Sequence, residues 1–464
     1  MIPDLEIDPK ILAIARALRR AGGQALLVGG IVRDHLLGLP SKDYDLEVYG
    51  LTLRQLEMEL TRFGEVIAVG RAFGVLRVKG LDADFSLPRR DSKVGPGHRG
   101  FLVELDPELA FPEAARRRDL TINSMGLDPL TGELLDPFDG RGDLERKVLR
   151  ATDRVHFAED SLRGLRVAQF HARLEMAPNE ELLEICSGLD LSDLPGERIF
   201  DELAKLLLKA DRPSFGLKFL EETKLLRFFP ELLGMVGVPQ DPEWHPEGTV
   251  WEHTLLVVDE AAQLRLGELH EDLALMWGAV LHDVGKPPTT VEVDGRIRSP
   301  AHDDVGAPMA EELLERLRAP KLLIRRVSAL VRYHLAPALL PAGGAKLKAY
   351  RRLARRLAES EVTPGLLYRL ASADHFGRTT ADALAREFPD GERFREAMED
   401  LFQEGHSVQD VVLGRHLLAR GFSPGPALGP ILAVCRDVQD ETGWRDPDRI
   451  LDRVLPELSD DAAS

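Results

Sequence analysis

Cysteine is nearly absent: Cys186 and Cys435 are the only two among 464 residues. Two thiols cannot build a disulfide framework or a four-thiolate zinc site, so a reducing compartment is expected. Long apolar runs are missing too, since no stretch approaches the roughly 18 residues that a membrane-spanning helix needs. No charged-then-apolar leader opens the chain, and a cytoplasmic protein without membrane contact is expected. Positive charge is in deficit, with 60 Lys and Arg against 78 Asp and Glu for a formal net charge of −18. That balance disfavours indiscriminate coating of DNA while permitting a local basic groove. No short-period internal repeat is present, which excludes a solenoid.

What is present can fold: hydrophobic residues make up 44% and charged residues 30%, enough to bury several cores, and the length suggests about three domains. Residues 8–21 carry apolar positions at helical spacing, closed by Gly22 and Gly23. QALLVGG predicts a strand, IVRDHLLG a helix ending at Gly38, and KDYDLEVYG a strand with Asp43 and Asp45 on one face. VIAVG, GVLRVKG and DADFSL extend a mixed sheet, and PRRDSKVGPGHRG predicts a mobile loop. From about residue 155 the periodicity is almost wholly helical, and the Pro- and Gly-rich passage Val236–Gly248 marks a boundary. The fold class is therefore α+β: a small mixed-sheet head over residues 1–150, a helical neck and body over 151–240, an all-α unit over 241–400 and a C-terminal helical tail over 401–464, fraying at its acidic end.

Two carboxylates on one strand face, following a glycine turn and a helix, suit a divalent metal beside a polyphosphate, because magnesium takes oxygen ligands and shares them with substrate phosphates. Alone, such a pair reads first as a solvated strand edge. Gly29 and Gly30 allow backbone N–H groups to approach a phosphate, and Arg33 stands one turn into the helix that follows. In AEDSLRGLR, Glu159 and Arg163 are four apart and Asp160 and Arg163 three apart, so on a helix they share a face. A carboxylate accepts from an exocyclic amine while a guanidinium donates to ring acceptors, so such a pair can read the edge of a base. In the second half, His253, His282, Asp283, His302, His334 and Asp374 sit in or beside apolar helical patterns, where a buried metal centre takes ligands.

The ordered set LVGGIVRDHLLG, KDYD, RRRDLTINSM, DPFDGRGDL and AEDSLRGLRVAQF resembles the class II tRNA nucleotidyltransferases and bacterial poly(A) polymerases of the polymerase-beta superfamily, over about residues 24–205, with a weaker match at GERIFDEL. The resemblance implies a polymerase-beta-like head in which Gly30, Arg33 and Arg118 contact the nucleotide and Asp43 and Asp45 hold catalytic Mg2+. It assigns the selection of CTP and ATP to Asp160 and Arg163, with Glu159 orienting them and Arg166 also at the nucleotide. Two positions depart from the family pattern: Gln169 stands where a third arginine is usual, and Ser124 where alanine is usual. The loss of charge at 169 bears on triphosphate binding or on the choice of nucleotide.

HDVGK with its flanking histidines and the later Asp374 resembles the HD phosphohydrolase superfamily over about residues 245–380, and WHPE ahead of His253 is a further match to the HD domains of some bacterial tRNA nucleotidyltransferases. The implied ligands of a divalent transition metal are His253, His282, Asp283 and Asp374. His302 and His334 are available for a second ion or for phosphate, and Lys286 for a phosphate contact. Together these resemblances imply CCA addition to the tRNA acceptor arm from CTP and ATP, with phosphatase and cyclic phosphodiesterase activity in the HD unit. The full-length segment between KDYD and RRRD favours addition of the terminal A. Enzymes adding only CC or only A, a poly(A) polymerase, and a phosphohydrolase whose head merely binds RNA stay open.

Overall fold

The computed structural model describes residues 7–40, 43–68, 74–93, 101–403 and 409–461. It packs as two units, Met1–Leu206 with Phe215–Phe228, and Leu207–Ser214 with Phe229–Ser464. The division thus falls a few residues ahead of the Pro- and Gly-rich passage.

The first unit is built on a seven-stranded mixed sheet of β1 (Gln24–Val28), β2 (Tyr44–Tyr49), β3 (Val66–Ala68), β4 (Val75–Val78), β5 (Ala83–Ser86), β8 (Gly126–Leu127) and β9 (Leu134–Leu135) in the order β3-β4-β5-β2-β1-β8-β9. Among the described strands of this sheet only the central pair β2 and β5 runs parallel, in a register that sets Asp45 across from Asp84. Apolar side chains on these strands, among them Leu26, Leu27, Leu46, Val48 and Phe85, are fully buried, and that burial is the main force holding the sheet to its helices. Asp8 caps the first helix, Pro9–Arg20, by accepting from Lys10 N–H. Gly29 ends β1 at φ +74° and starts the helix Gly30–Leu36, a left-handed turn that favours glycine.

The passage expected as a mobile loop is in part a hairpin: β6 (Arg89–Lys93) pairs antiparallel with β7 (Phe101–Leu105). FLVEL, just after that passage, has the composition of a strand, and it draws the polar run RRDSK, which carries no strand signal of its own, into the ladder. Residues 94–100, including Arg99, lie outside the described residues, as do Val69 and Gly70 of VIAVG and the last three residues of the acidic end.

After the sheet the first unit is helical, with Leu162–Leu174, Glu180–Ser187 and Gly196–Lys209 as its main helices. A short parallel bridge, β10 (Val148–Leu149) with β11 (Ala177–Pro178), ties its start to the end of the first of these. In the second unit, the helices Val250–Gln263, Leu269–Leu281, His302–Arg316, Lys321–Tyr333 and Pro364–Phe376 enclose a core that includes Trp251, Met276, Trp277, Leu330 and Leu370. Leu269–Leu281 is buried from Ala274 to its end, as expected for a stretch apolar on all sides, and it delivers His282 and Asp283 to the interior. One small hairpin, β12 (Val291–Val293) with β13 (Arg296–Arg298), interrupts an otherwise helical unit. Residues 409–461 form a helical tail with a core of its own around Leu417, Cys435, Ile450, Leu451 and Val454.

Gly285, two residues beyond Asp283, packs its backbone against the start of the helix His302–Arg316. A Cβ there would overlap the His302 carbonyl oxygen and lie 2.6 Å from Gly306 N. Both neighbours are backbone, so neither can swing aside. Gly285→Ala is expected to cost the second unit about 3 kcal/mol, read as a lower urea midpoint for that unit; an unchanged midpoint would show that the two segments separate freely.

Candidate active sites

A cavity of about 600 Å³ opens in the first unit, lined among others by Gly29, Gly30, Arg33, Asp45, Arg118, Asp119, Asp160, Arg163 and Arg166. Residues from four separate sequence motifs thus meet in one place. Asp45 stands at the start of β2, while Asp43 precedes the strand by one residue, so the expected pair on one strand face is a strand residue and a loop residue. Partial desolvation raises the Asp45 carboxyl, Asp84 and Asp43 raise it further, and Arg118 opposes them. A pair of neighbouring carboxylates suits a divalent cation, and Asp84 also accepts from Arg77 Nε at 2.6 Å. Asp84, on the neighbouring strand, was not singled out from the sequence; its only signal there was its place in DADFSL.

Two glycines lie where the cavity meets β1, and the positive φ of Gly29 favours glycine there. A Cβ at Gly29 would lie 3.4 Å from Arg118 Nη1 and 3.8 Å from Asp45 Oδ2, and one at Gly30 would lie 3.4 Å from Arg33 Nη2. Two cations and a carboxylate therefore face bare backbone. Behind them Glu47, fully buried, accepts from Arg117 at 2.9 Å and from the Tyr49 hydroxyl at 2.7 Å, with Arg118 3.5 Å away. Burial presses the Glu47 carboxyl up, but the two arginines outweigh it and hold it low, so the positive charge of RRRD is anchored to the sheet.

The floor of the cavity is a hydrogen-bonded chain centred on Asp119. Its Oδ2 accepts from Arg166 Nε at 2.8 Å, and its Oδ1 accepts from Asn123 Nδ2 at 3.0 Å and from Leu120 N–H at 2.7 Å. Asn123 Oδ1 in turn accepts from Arg33 Nη1 at 2.6 Å, and Arg33 Nε donates to Asp34 at 2.8 Å. Arg33 and Arg166 both lie over the Phe170 ring, 4.9 and 5.5 Å from its centroid.

The EDSLR segment is not one helix. Arg154–Ala158 ends at Glu159, Asp160 and Ser161 form a break, and the next helix begins at Leu162. The expected shared helix face is therefore absent, because Asp160 uses its carboxylate at the break, accepting from Leu162 N–H at 3.2 Å. Tertiary packing still brings Asp160 and Arg163 to the same cavity. Arg163 donates to the His156 carbonyl at 2.8 Å and to the Arg117 carbonyl at 2.5 Å, and Asp160 lies 3.5 Å from Arg198. Arg198, in GERIFDEL, was missed as a site residue. Glu159 and Asp43 do not line this cavity, and neither does Gln169, which is buried in the helix Leu162–Leu174.

The second unit holds a buried histidine cluster. His282 Nδ1 lies 2.9 Å from the Ala279 carbonyl, His302 Nδ1 2.9 Å from that of Ser299, and His334 Nδ1 2.6 Å from that of Val331. A carbonyl only accepts, so each Nδ1 carries a proton, and a neutral ring then leaves Nε2 bare. Those bare nitrogens converge. His302 and His334 Nε2 are 3.3 Å apart, Asp283 Oδ1 is 3.2 and 3.9 Å from them, and Asp283 Oδ2 is 3.3 Å from His282 Nε2, which has no hydrogen-bond partner. Burial and the neighbouring imidazoles press His334 down to about 4. Burial also lowers His282 and His302, but Asp283 overcomes it and raises both.

Two groups here have the spacing to hold a metal ion, His253 with His282 and Asp283, and Asp283 with His302 and His334. Asp374 joins the first through His253 Nε2 at 3.1 Å. Lys286 is buried, its Nζ 2.7 Å from Asp283 Oδ2 and 2.7 Å from Gln240 Oε1. A third group, His245 with Glu247 and His253, contains two residues not assigned from the sequence, although WHPE had marked the spot.

Asp119 carries a prediction. Burial alone would raise its carboxyl, yet Arg166, Asn123, Arg163 and Leu120 N–H hold it at about 2. Its unfolded value is about 3.9, so the stability it lends is complete above about pH 4 and is lost as pH falls through about 2. Asp119→Asn should cost about 2 kcal/mol at neutral pH, a deficit that shrinks to little by about pH 2. Urea midpoints across that range check it; a deficit independent of pH would assign the loss to packing.

Residues 25–150 match the Poly A polymerase head domain, 250–369 the HD domain, and 184–235 the Probable RNA and SrmB- binding site of polymerase A. The Multifunctional CCA protein of Alkalilimnicola ehrlichii is 39% identical over 67% of this chain and 73% of its own. That of Xanthomonas campestris is 34% identical over 88% and 96%. Among solved structures, the CCA-adding enzyme of Bacillus stearothermophilus in complex with CTP is 20% identical at a TM-score of 0.67, covering 98% of this chain and 100% of that one. The Thermotoga maritima CCA-adding enzyme complexed with tRNA is 18% identical at 0.59, covering 97% and 96%. Among the described residues no helix is long and apolar enough to cross a membrane. With relatives of this identity matched over most of their length, the chain belongs to the family of multifunctional CCA proteins.

Proposed function

We propose that this protein adds or repairs CCA at tRNA 3′ ends in the cytoplasm, transferring CMP and AMP from CTP and ATP to the terminal hydroxyl. The observation that carries this reading is the cavity in which Gly30, Arg33, Asp45, Arg118, Asp160, Arg163 and Arg166 meet. Gly30 leaves backbone open to the triphosphate, and Arg33 and Arg118 neutralise it. Asp160 and Arg163 face the base, and the two carbonyls that hold the Arg163 guanidinium fix its plane before a nucleotide arrives. Such preorganisation lets one site distinguish bases without a nucleic-acid template. Asp43 and Asp45, with Asp84 beside them, would hold Mg2+, which when bound activates the attacking hydroxyl and steadies the leaving pyrophosphate. Residues 1–150 would serve as the catalytic head, 151–240 as the neck and body reaching the acceptor arm, and 401–464 as an accessory tail.

Residues 241–400 would act as a phosphohydrolase on phosphorylated or cyclic tRNA ends. His253, His282, Asp283 and Asp374 would hold a divalent transition metal, His302 and His334 a second ion or the phosphate, and the unpartnered His282 Nε2 fits that reading. A metal bound there supplies Lewis acidity toward the phosphoester and water. Lys286 keeps Asp283 charged and oriented through its 2.7 Å contact, and its ammonium is close enough to the cluster to meet a phosphate.

Purified protein given tRNA lacking CCA, with labelled CTP and ATP supplied separately and together, is expected to add C, C and A. Incorporation of CMP alone or AMP alone would move the protein to the CC-adding or A-adding relatives, and long A tails on a generic RNA primer would make it a poly(A) polymerase. No incorporation would leave the head an RNA-binding module. Asp45→Ala should lower transfer by at least about 1,000-fold, equivalent to about 4 kcal/mol, while phosphoester hydrolysis persists. His282→Ala should do the reverse, abolishing hydrolysis of a 2′,3′-cyclic phosphate and sparing incorporation.

A further inference from the structure

A smaller cavity of about 360 Å³ opens elsewhere in the first unit, lined among others by Arg89, Arg90, Glu113, Arg116, Arg117 and His156. Four arginines and one carboxylate thus meet in a chain whose formal net charge is −18. The arginines come from β6 and from the helix Phe111–Arg116 with the residue that ends it. A concave surface lined by one sign of charge draws the opposite charge to it.

This cavity adjoins the nucleotide cavity. Arg117 lines both. The two carbonyls that receive the Arg163 guanidinium belong to His156 and Arg117, so the residues that fix the base-reading arginine also line the basic cavity. A group bound there lies next to the reacting end of any strand whose terminal hydroxyl has reached Asp45.

The arginines differ in how far they are committed. Arg117 donates to the buried Glu47 at 2.9 Å. Arg90 Nε donates to Asp106 at 3.1 Å and its Nη2 lies 3.6 Å from Glu113 Oε2, with the Arg90 and Glu113 side chains both more than half exposed. Pairs this exposed hold weakly, so the guanidinium is available to a stronger acceptor. Arg116 is exposed, and among the described residues it has no ion-pair partner. A phosphodiester suits both, because its two free oxygens match the planar fork of a guanidinium.

We propose that this basic cavity holds a phosphate of the tRNA 3′ strand, close to the terminal hydroxyl, through Arg90 and Arg116. This rests on the CCA-adding reading of the adjoining cavity, and it gives a chain with an acidic surplus a local grip on RNA.

The test uses the full-length protein and tRNA lacking CCA, with affinity measured over a series of KCl concentrations. Arg90→Ala and Arg116→Ala are each expected to raise the tRNA Kd about 10-fold. Each should also make the plot of log Kd against log salt shallower by about 0.7, the share of one single-strand phosphate, while KM for CTP and ATP stays within about twofold of wild type. Glu113→Gln removes the one carboxylate among the lining residues and should act in the opposite direction, lowering Kd about two- to threefold; it serves where an arginine variant fails to fold. A minihelix with neutral methylphosphonates at the last three linkages of its 3′ strand should bind wild type more weakly than the unmodified minihelix, and Arg116→Ala should then weaken it by less than about twofold. Unchanged tRNA affinity and salt slope in both arginine variants would overturn the proposal, as would a full loss on the neutral minihelix, which would put the contact elsewhere on the RNA. A raised nucleotide KM with tRNA affinity intact would overturn it too, by assigning the cavity to the triphosphate. A wild type that binds tRNA and incorporates nothing would remove the CCA-adding reading alone, since the salt slopes need no turnover and would still decide whether these arginines hold a phosphate.

Discussion

A buried carboxylate that must be satisfied from several directions organises the head. Asp119 lies between Arg166, Asn123 and the Leu120 N–H, and through Asn123 it reaches Arg33 and Asp34. A buried ion lacking these donors would cost several kcal/mol (about 3–5), so the RRRD segment, the helix after Gly29 and the helix Leu162–Leu174 must dock together or not at all. The cavity is the space this docking leaves between them. Its arginines are held at chosen angles by carboxylates and carbonyls, which is why a chain with an acidic surplus can still offer a concentrated positive site.

The second unit solves a related problem with different chemistry. Asp283 is again a buried carboxylate, but its partners are imidazoles whose protons face outward onto backbone carbonyls and a lysine anchored by Gln240. Protons directed away from the centre leave electron pairs directed toward it, and the apolar stretch Ala274–Leu281 carries the chain to the buried Asp283. Both centres therefore depend on burial making the pairing of polar atoms compulsory.

Much of this was legible in the residues. The strands QALLV, VLRV and ADFS, the helix after Gly29 and the helices bearing His253, His282 and Asp374 follow from period and punctuation, and the strongest motifs mark the two centres. The failures have particular causes. EDSLR has helical spacing, but the Asp160 carboxylate competes with the helix for backbone N–H groups, and the chain breaks there. RRDSK is polar throughout and gives no strand signal, and only pairing with FLVEL makes it one. Gln169 looked like a missing cation at the nucleotide, yet the helix turns it away from the cavity lining.

The sequence by itself determined which residues carry chemistry and which local structure presents them, since side-chain type and hydrophobic period are local properties. It could not decide which distant groups meet. That Asp84 lies across from Asp45 depends on two strands pairing in parallel; that Arg198 comes to Asp160 depends on a helix packing back onto the cavity; and that Glu247 lies beside His253 depends on a turn 132 residues away holding it at Thr379. Each of these contacts arises from closure of a long loop, and only the burial of a whole core fixes which loops close.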